Sequence, residues 1–435
     1  MKKLGMLSGL CALLLAVTSA HAATKYWVPG NVGSFATGTN WSGGTVPASN
    51  DTVYVNSGTA TMDSQTYYAA GFYLMRTNTP GHTAYFNMNN STMYQTANSA
   101  IGQGVTNTTA ILSLTNSTMN TRTFYVGHSG VNMTNVMNLK ASTMNVGVNL
   151  ILSATSNSLN VLNLTDNSVV SVATNVTMGW GGGVKTMINI EGGSRMSLAA
   201  LSMGTAAGST GIVNVAANSS LTMSGGNLIG QAVGGYGELN INGGSVTGAN
   251  FFVGNQSSGA LNMNGGNLKL TGGLNLAWYN NSETGALSAS NGAVISVDSM
   301  NVGGQPTSTA SVVLSGADVS FDIATTLLAT NSNATFTFNI LDTNGVSTIN
   351  AAGNILLAGA DLVINGNISN ILNNVLFTGN SVTGTFATVL INGQDGSSLI
   401  GYGADSISII PEPTTVGLFV VSSVGLILLR RVRGC

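Results

Sequence analysis

The sequence is short of the residues on which most folds and active sites depend. Of 435 residues, 12 are Lys or Arg and 14 are Asp or Glu, so 6% are charged, against roughly 25% in an ordinary globular domain. Cysteine occurs twice, at Cys11 and Cys435. If both ends are removed, the body has no cysteine, which excludes a disulfide framework, a cysteine metal site and a thiol nucleophile. Proline is scarce, at 6 residues, and aromatic residues make up 6%. The basic residues of the body, such as Lys25, Arg76, Arg122 and Lys140, are scattered. Nucleic-acid binding needs clustered Lys or Arg to neutralise phosphates, so it is excluded. Helical repeats are excluded too, because no 3.6-residue apolar period of useful length occurs.

What is present is Gly (57 residues) with abundant Asn, Ser and Thr, and 43% hydrophobic residues. Low charge with high hydrophobicity is the opposite of the disordered signature. It suits a β protein with many turns.

The body is a repeat. An apolar residue, any residue, an apolar residue and then a small residue recur, with the small position at Gly102, Gly127, Ser153, Gly179, Gly204, Gly230, Gly254, Ala277, Gly303 and Ala329. The spacing is about 25 residues. The residue before each is apolar, from Ile101 to Leu328. Two places earlier the residue is apolar except at Ser99 and Asn227, the last of the series, Leu327, being displaced by one. Period-two alternation marks a strand with one buried face. A second strand follows, as in Val136-Met137-Asn138-Leu139 and Met187-Ile188-Asn189-Ile190, and its central Asn should face outward. Next comes a corner, clearest in Glu191-Gly192-Gly193-Ser194 and Asn242-Gly243-Gly244-Ser245, where Gly supplies positive φ. Ser117, Ser142, Ser168, Ser194, Ser219 and Ser245 should stack into a ladder at that corner. A third short strand completes the unit.

Three strands and three turns in a unit of about 25 residues predict one coil of a parallel β-helix, each coil burying its apolar face on its neighbours. An array of β-sandwiches would need a unit of about 100 residues. The fold class is therefore all-β: a parallel β-solenoid with an N-terminal signal helix and a C-terminal hydrophobic helix. The divisions are a signal peptide over 1–22, a cap and first coils over 23–95, the regular solenoid over 96–334, terminal coils and a cap over 335–410, and a sorting tail over 411–435. Trp27, Trp41-Ser42-Gly43-Gly44, Pro47 and Asp51-Thr52-Val53-Tyr54-Val55 resemble the opening segment of exported, autotransporter-like β-solenoids.

The two ends carry export signals. Lys2 and Lys3 precede the apolar run 10–17, and Ala20-His21-Ala22 offers an A-x-A site with cleavage before Ala23. At the other end, Pro411-Glu412-Pro413 precedes an apolar stretch over 416–429 and the basic residues Arg430, Arg431 and Arg433. The stretch is shorter than the roughly 20 residues that span a bilayer comfortably. Arginines at its end stay on the cytoplasmic side. These three parts in order resemble the PEP-CTERM sorting signal of Gram-negative bacteria. The resemblance implies processing by signal peptidase and an exosortase-type transpeptidase. It also implies transient residence in the inner membrane, then delivery to the surface or matrix, often alongside exopolysaccharide production.

Chemistry is sparse. A polysaccharide lyase or hydrolase on this fold would gather carboxylates on adjacent coils. Asp166 and Glu191, at nearly matching corners, are the best candidate pair, and they read better as solvated turn residues. His82 and His128 are isolated, and a metal site needs several convergent ligands. No cofactor or metal is expected, and the corner serines have no base beside them. Asn-x-Ser/Thr triplets occur at Asn90, Asn116 and Asn218. The function expected is a structural or adhesive role at the surface or in a biofilm matrix, associated with exopolysaccharide. The alternative is a β-helix lyase or hydrolase.

Overall fold

The computed structural model describes residues 22–411 apart from 77–80, 153–155, 279–283 and 342–344. The expected terminal helices, Ser153, Cys11 and Cys435 lie outside the described residues. Within them the chain winds into an all-β parallel solenoid of about 14 turns, with coils of about 26 residues and almost no helix. Each turn contributes one strand to each of three sheets, of 15, 16 and 15 strands. The first sheet runs from Thr24–Tyr26 to Ser381–Thr383, and the second from Val32–Ser34 through Thr388–Ile391 to Gln394–Asp395. The third starts at Thr66–Ala69 and is closed by Ile400–Tyr402 and Ser406–Ile409. At about 4.8 Å per coil the stack is roughly 65 Å long.

Alternation in each strand makes the core. In Thr134–Lys140, for example, Asn135, Met137 and Leu139 are buried while Val136 and Asn138 face outward. Repeated coil after coil, the inward residues form one continuous hydrophobic cluster from Trp27 to Ile409. Some inward polar exceptions carry their own hydrogen bonds, while atoms such as Thr108 Oγ1 and Asn135 Oδ1 have no partner among the described residues. Asn227 is 1% exposed, and its Oδ1 accepts from the backbone N–H of Leu201 while its Nδ2 donates to Gly225 O.

At Gly230 the periodic glycine is a conformational requirement. Gly230 has φ +80°, and a Cβ there would lie 2.3 Å from the carbonyl oxygen of Ser258 on the next coil. Only glycine accepts both the left-handed backbone and the close approach. At the end of this series the sequence reading is off by one. Ala329 pairs with Val302, not with Gly303, so it is a buried strand residue, and Leu328 beside it faces outward.

The serine ladder forms with one member exchanged. Ser91 joins Ser117, Ser142, Ser168, Ser194 and Ser219 as buried corner residues. From Ser117 to Ser194 each Oγ accepts from the backbone N–H of the serine one coil earlier, as in Ser117 N to Ser142 Oγ at 3.0 Å and Ser142 N to Ser168 Oγ at 3.1 Å, while Ser91 Oγ accepts from Gln65 N and Ser219 Oγ has no hydrogen-bond partner among the described residues. The corner takes these N–H groups out of the strand ladder, and the hydroxyl replaces the missing carbonyl. Ser245 does not belong, because it pairs with Ser220. The Asn242-Gly243-Gly244 corner is one residue shorter than its predecessor, so Gly244 takes the ladder position. Ser142→Ala leaves the N–H of Ser117 buried and unpaired. The expected loss is about 1–3 kcal/mol, read from chemical denaturation against Ser171→Ala on the outer face.

Both ends are closed. At the first, Trp27, Phe35 and Trp41 are each at most 2% exposed. Trp41 stands edge-on to Trp27 at 5.1 Å and to Phe35 at 4.8 Å. The Trp41 indole N–H donates to Phe35 O at 2.7 Å. At the far end the chain turns antiparallel: Ser406–Ile409 pairs with Val375–Thr378, and Gln394–Asp395 folds back on Thr388–Ile391. Phe336, Phe377 and Phe386 pack beneath.

Candidate functional face

Outward residues of the second sheet form two parallel columns. Asn138, Asn163, Asn189, Asn214, Asn240 and Asn262 are in register on successive strands. Each Nδ2 donates to the Oδ1 one coil earlier, at 2.7–2.9 Å. An amide has two N–H donors and two acceptor lone pairs, so each ladder member keeps spare valences for a ligand or water.

Beside the amides runs an apolar column. Tyr85, Ile111, Val136, Val161, Met187 and Ile212 are in register and face outward. The column is bounded by Glu238, which pairs with Ile212. The Glu238 carboxylate accepts from Tyr236 Oη at 3.0 Å and Asn240 Nδ2 at 2.7 Å. Burial and that carboxylate push the Tyr236 phenol to about 12, so it remains a donor at neutral pH. A shallow cleft of about 410 Å³ runs over the amide side of the face, lined by Asn138, Asn163, Asn189, Thr165, Lys140 and Glu191 among others.

The candidate carboxylates are not brought to one position. Glu191 follows Ile190, which pairs with Leu164, and so sits level with Thr165. Asp166 sits level with Gly192, whose Cβ would meet the Asp166 backbone. Asp166 instead pairs with Lys140 on the preceding coil, at 3.7 Å and with both side chains more than half exposed, a contact of little energetic weight. Among the described residues no three His, Cys, Asp or Glu converge as metal ligands. Of the export residues, Ala22, Ala23 and Pro411 are exposed. Ala20, Glu412, Pro413, Arg430, Arg431 and Arg433 lie outside the described residues.

A second cluster, not anticipated from the sequence, lies on the first sheet near its start. Tyr26, Tyr54 and Tyr73 stack in register, with ring centroids 5.1 Å apart at each step. The Arg76 guanidinium lies 5.0 Å from the Tyr54 ring and 4.5 Å from that of Tyr73, and donates to the Tyr54 hydroxyl. Further along the sheet, His128 stands edge-on to Tyr125 at 4.3 Å. Burial, then the Arg76 charge, holds its imidazole below the ordinary value.

The sign follows from linkage: the unfolded chain binds the His128 proton more readily than the folded one. Stability is therefore fully present above the ordinary histidine value, about 6.5, and declines as pH falls from there to the lower folded value. His128→Gln is expected to remove that part of the acid sensitivity. Thermal melts of both proteins between about pH 7 and about pH 5 check it.

Comparison with protein-family models, with curated proteins and with solved structures gives no match for this chain. What it is like therefore rests on its own geometry: an all-β parallel solenoid of about 14 turns.

Proposed function

We propose that the chain is an exported, non-catalytic rod of a Gram-negative cell surface or extracellular matrix, which holds an uncharged polysaccharide along its second sheet. The observation that carries this reading is the pairing of the amide ladder with the apolar column, both repeated once per coil. A pyranose ring has apolar C–H faces and a rim of hydroxyls. In an extended β-linked chain its repeat is close to the coil rise of about 4.8 Å. A chain laid parallel to the axis sets its ring faces on Val136, Val161 and Met187 and its hydroxyls on Asn138, Asn163 and Asn189. The central columns carry no charge, which favours a neutral polymer over a uronate.

The export part of the proposal rests on the apolar run 10–17, Ala20-His21-Ala22, the triplet Pro411-Glu412-Pro413 and the terminal Arg430, Arg431 and Arg433. In this reading signal peptidase cuts before Ala23. An exosortase-type transpeptidase then removes the tail, which is held transiently in the inner membrane. Fractionation with mass mapping of both termini tests it; full-length protein retained in the inner membrane contradicts it.

Binding is tested with the purified protein in a detergent that has no sugar headgroup, against cellohexaose, shorter cello-oligomers and alginate. Affinity is expected to rise with oligomer length, alginate is expected not to compete, and Val161→Lys is expected to weaken cellohexaose binding at least about tenfold, or 1.4 kcal/mol. Equal binding of disaccharide and hexasaccharide, or an unaffected Val161→Lys, contradicts the assignment of this face. Turnover of the glycan, lost in Asp166→Ala or Glu191→Ala, would favour a lyase or hydrolase instead.

A further inference from the structure

Asp51 is a buried carboxylate near the start of the solenoid. It is 3% exposed, under the first cap of the solenoid. Its Oδ2 accepts from the backbone N–H of Ala48 at 2.7 Å, and its Oδ1 from the backbone nitrogen of Ala23 at 2.9 Å. Among the described residues no ion pair reaches it. Lys25, two residues beyond Ala23, turns its Nζ to the Thr45 hydroxyl at 2.7 Å. Carboxylates are almost never this buried unless paired, because removing the charge from water is costly. The nitrogen already at hydrogen-bond distance belongs to the residue that follows the A-x-A site.

The geometry points to a built-in seat for a processed N-terminus: hydrolysis between Ala22 and Ala23 creates an α-ammonium that forms an ion pair with Asp51 and locks the cap. The C–N bond of that peptide breaks. Water supplies the hydroxyl to the Ala22 carboxyl group and a proton to the Ala23 nitrogen, and a further proton from solvent makes the ammonium at neutral pH. The nitrogen keeps its place, and one amide donor becomes a charged group with three. Charge-assisted hydrogen bonds of this kind are roughly twice as strong as neutral ones. Ala23 is also tied to the first strand pair, since its carbonyl accepts from Thr52 N at 2.9 Å. Cleavage would thereby tighten Thr24–Tyr26 against Thr52–Val55 and bring the edge of the first sheet to its final strength. The precursor, with a neutral amide there, has the looser cap.

This inference rests on the export reading, and the experiment separates the two. The mature protein is compared with that from a precursor carrying one extra alanine ahead of Ala23, which moves the ammonium away and restores an amide at Ala23. Hydrogen exchange is followed at the amides of Ala48 and Thr52. The expected result is protection about tenfold lower in the extended protein, a loss of about 1.4 kcal/mol. The same extension should have no effect in the Asp51→Asn background. Equal protection in the two mature proteins, or a loss that persists in Asp51→Asn, overturns the ion pair and leaves the export reading intact. An N-terminus that maps to Met1 overturns both. Should Asp51→Asn fail to fold, the comparison between the two mature proteins still decides.

Discussion

Gly230→Val is expected to cost about 3–5 kcal/mol and to open the solenoid locally around the turn after Gly226–Ile229. Two penalties combine. The backbone has φ +80°, a region that costs a β-branched residue on the order of 1–3 kcal/mol. The new Cβ also lies 2.3 Å from Ser258 O, a backbone atom of the next strand that cannot move without breaking its own ladder. The two are separable. Gly393 has φ +78° with nothing within 4 Å of a Cβ, so Gly393→Val reports the conformational term alone and should cost less by the difference. Chemical denaturation gives the totals, and limited proteolysis maps the opening. Because each coil touches only its neighbours, damage should stay within a few turns of the cut.

The second large effect is expected at the opposite kind of position, the end of the stack. Trp41→Ala removes a 1% exposed indole that packs edge-on against Trp27 and Phe35. Truncating a buried tryptophan costs about 3–5 kcal/mol. Here the consequence is also an exposed edge. Without the aromatic cover, the first strands present unpaired N–H and C=O groups that template association between copies. The variant should therefore lose protection in Thr24–Val55 and aggregate with concentration, while hydrogen exchange in coils beyond Thr134 stays at the parent value. Size-exclusion chromatography with light scattering reads the first effect and exchange reads the second.

The fold was legible because the core writes itself into the sequence every 26 residues or so. An apolar residue before each periodic small residue and a serine at the corner of six successive coils are positions that stacking tolerates poorly when changed. Where the reading slipped, a corner had changed length. Ser245 left the serine ladder because its turn lost one residue, and Ala329 moved to the pairing position of Val302. Spacing alone cannot locate such a change in length, since hydrogen-bond register decides which residue is opposite which.

The candidate face was half legible. The outward asparagines follow from period two. The apolar column follows from the same rule, since Val136 and Met137 are adjacent and cannot both point inward, yet the pair reads at first as one buried run. The cluster of Tyr26, Tyr54, Tyr73 and Arg76 left no such trace. Its members are separated by 28 and then 19 residues, as their pairing shows, so no period reveals that they stack. Asp51 was equally silent: only coordinates place its carboxylate against the nitrogen of Ala23.

The central claim is in-register stacking of successive coils, and the near absence of cysteine makes it directly measurable. With Cys11→Ser and Cys435→Ser as background, Asn163→Cys paired with Asn189→Cys places two thiols on directly opposed positions of neighbouring coils. Their Cα atoms are about 4.8 Å apart, inside the range of about 4.4–6.8 Å that a disulfide spans. Asn163→Cys with Asn240→Cys, three coils apart at roughly 14 Å, is the control. Near-complete oxidation of the first pair and none of the second, scored by mass spectrometry, is the expected result. A first pair that stays reduced, or a control that closes as readily, would contradict the stacked solenoid.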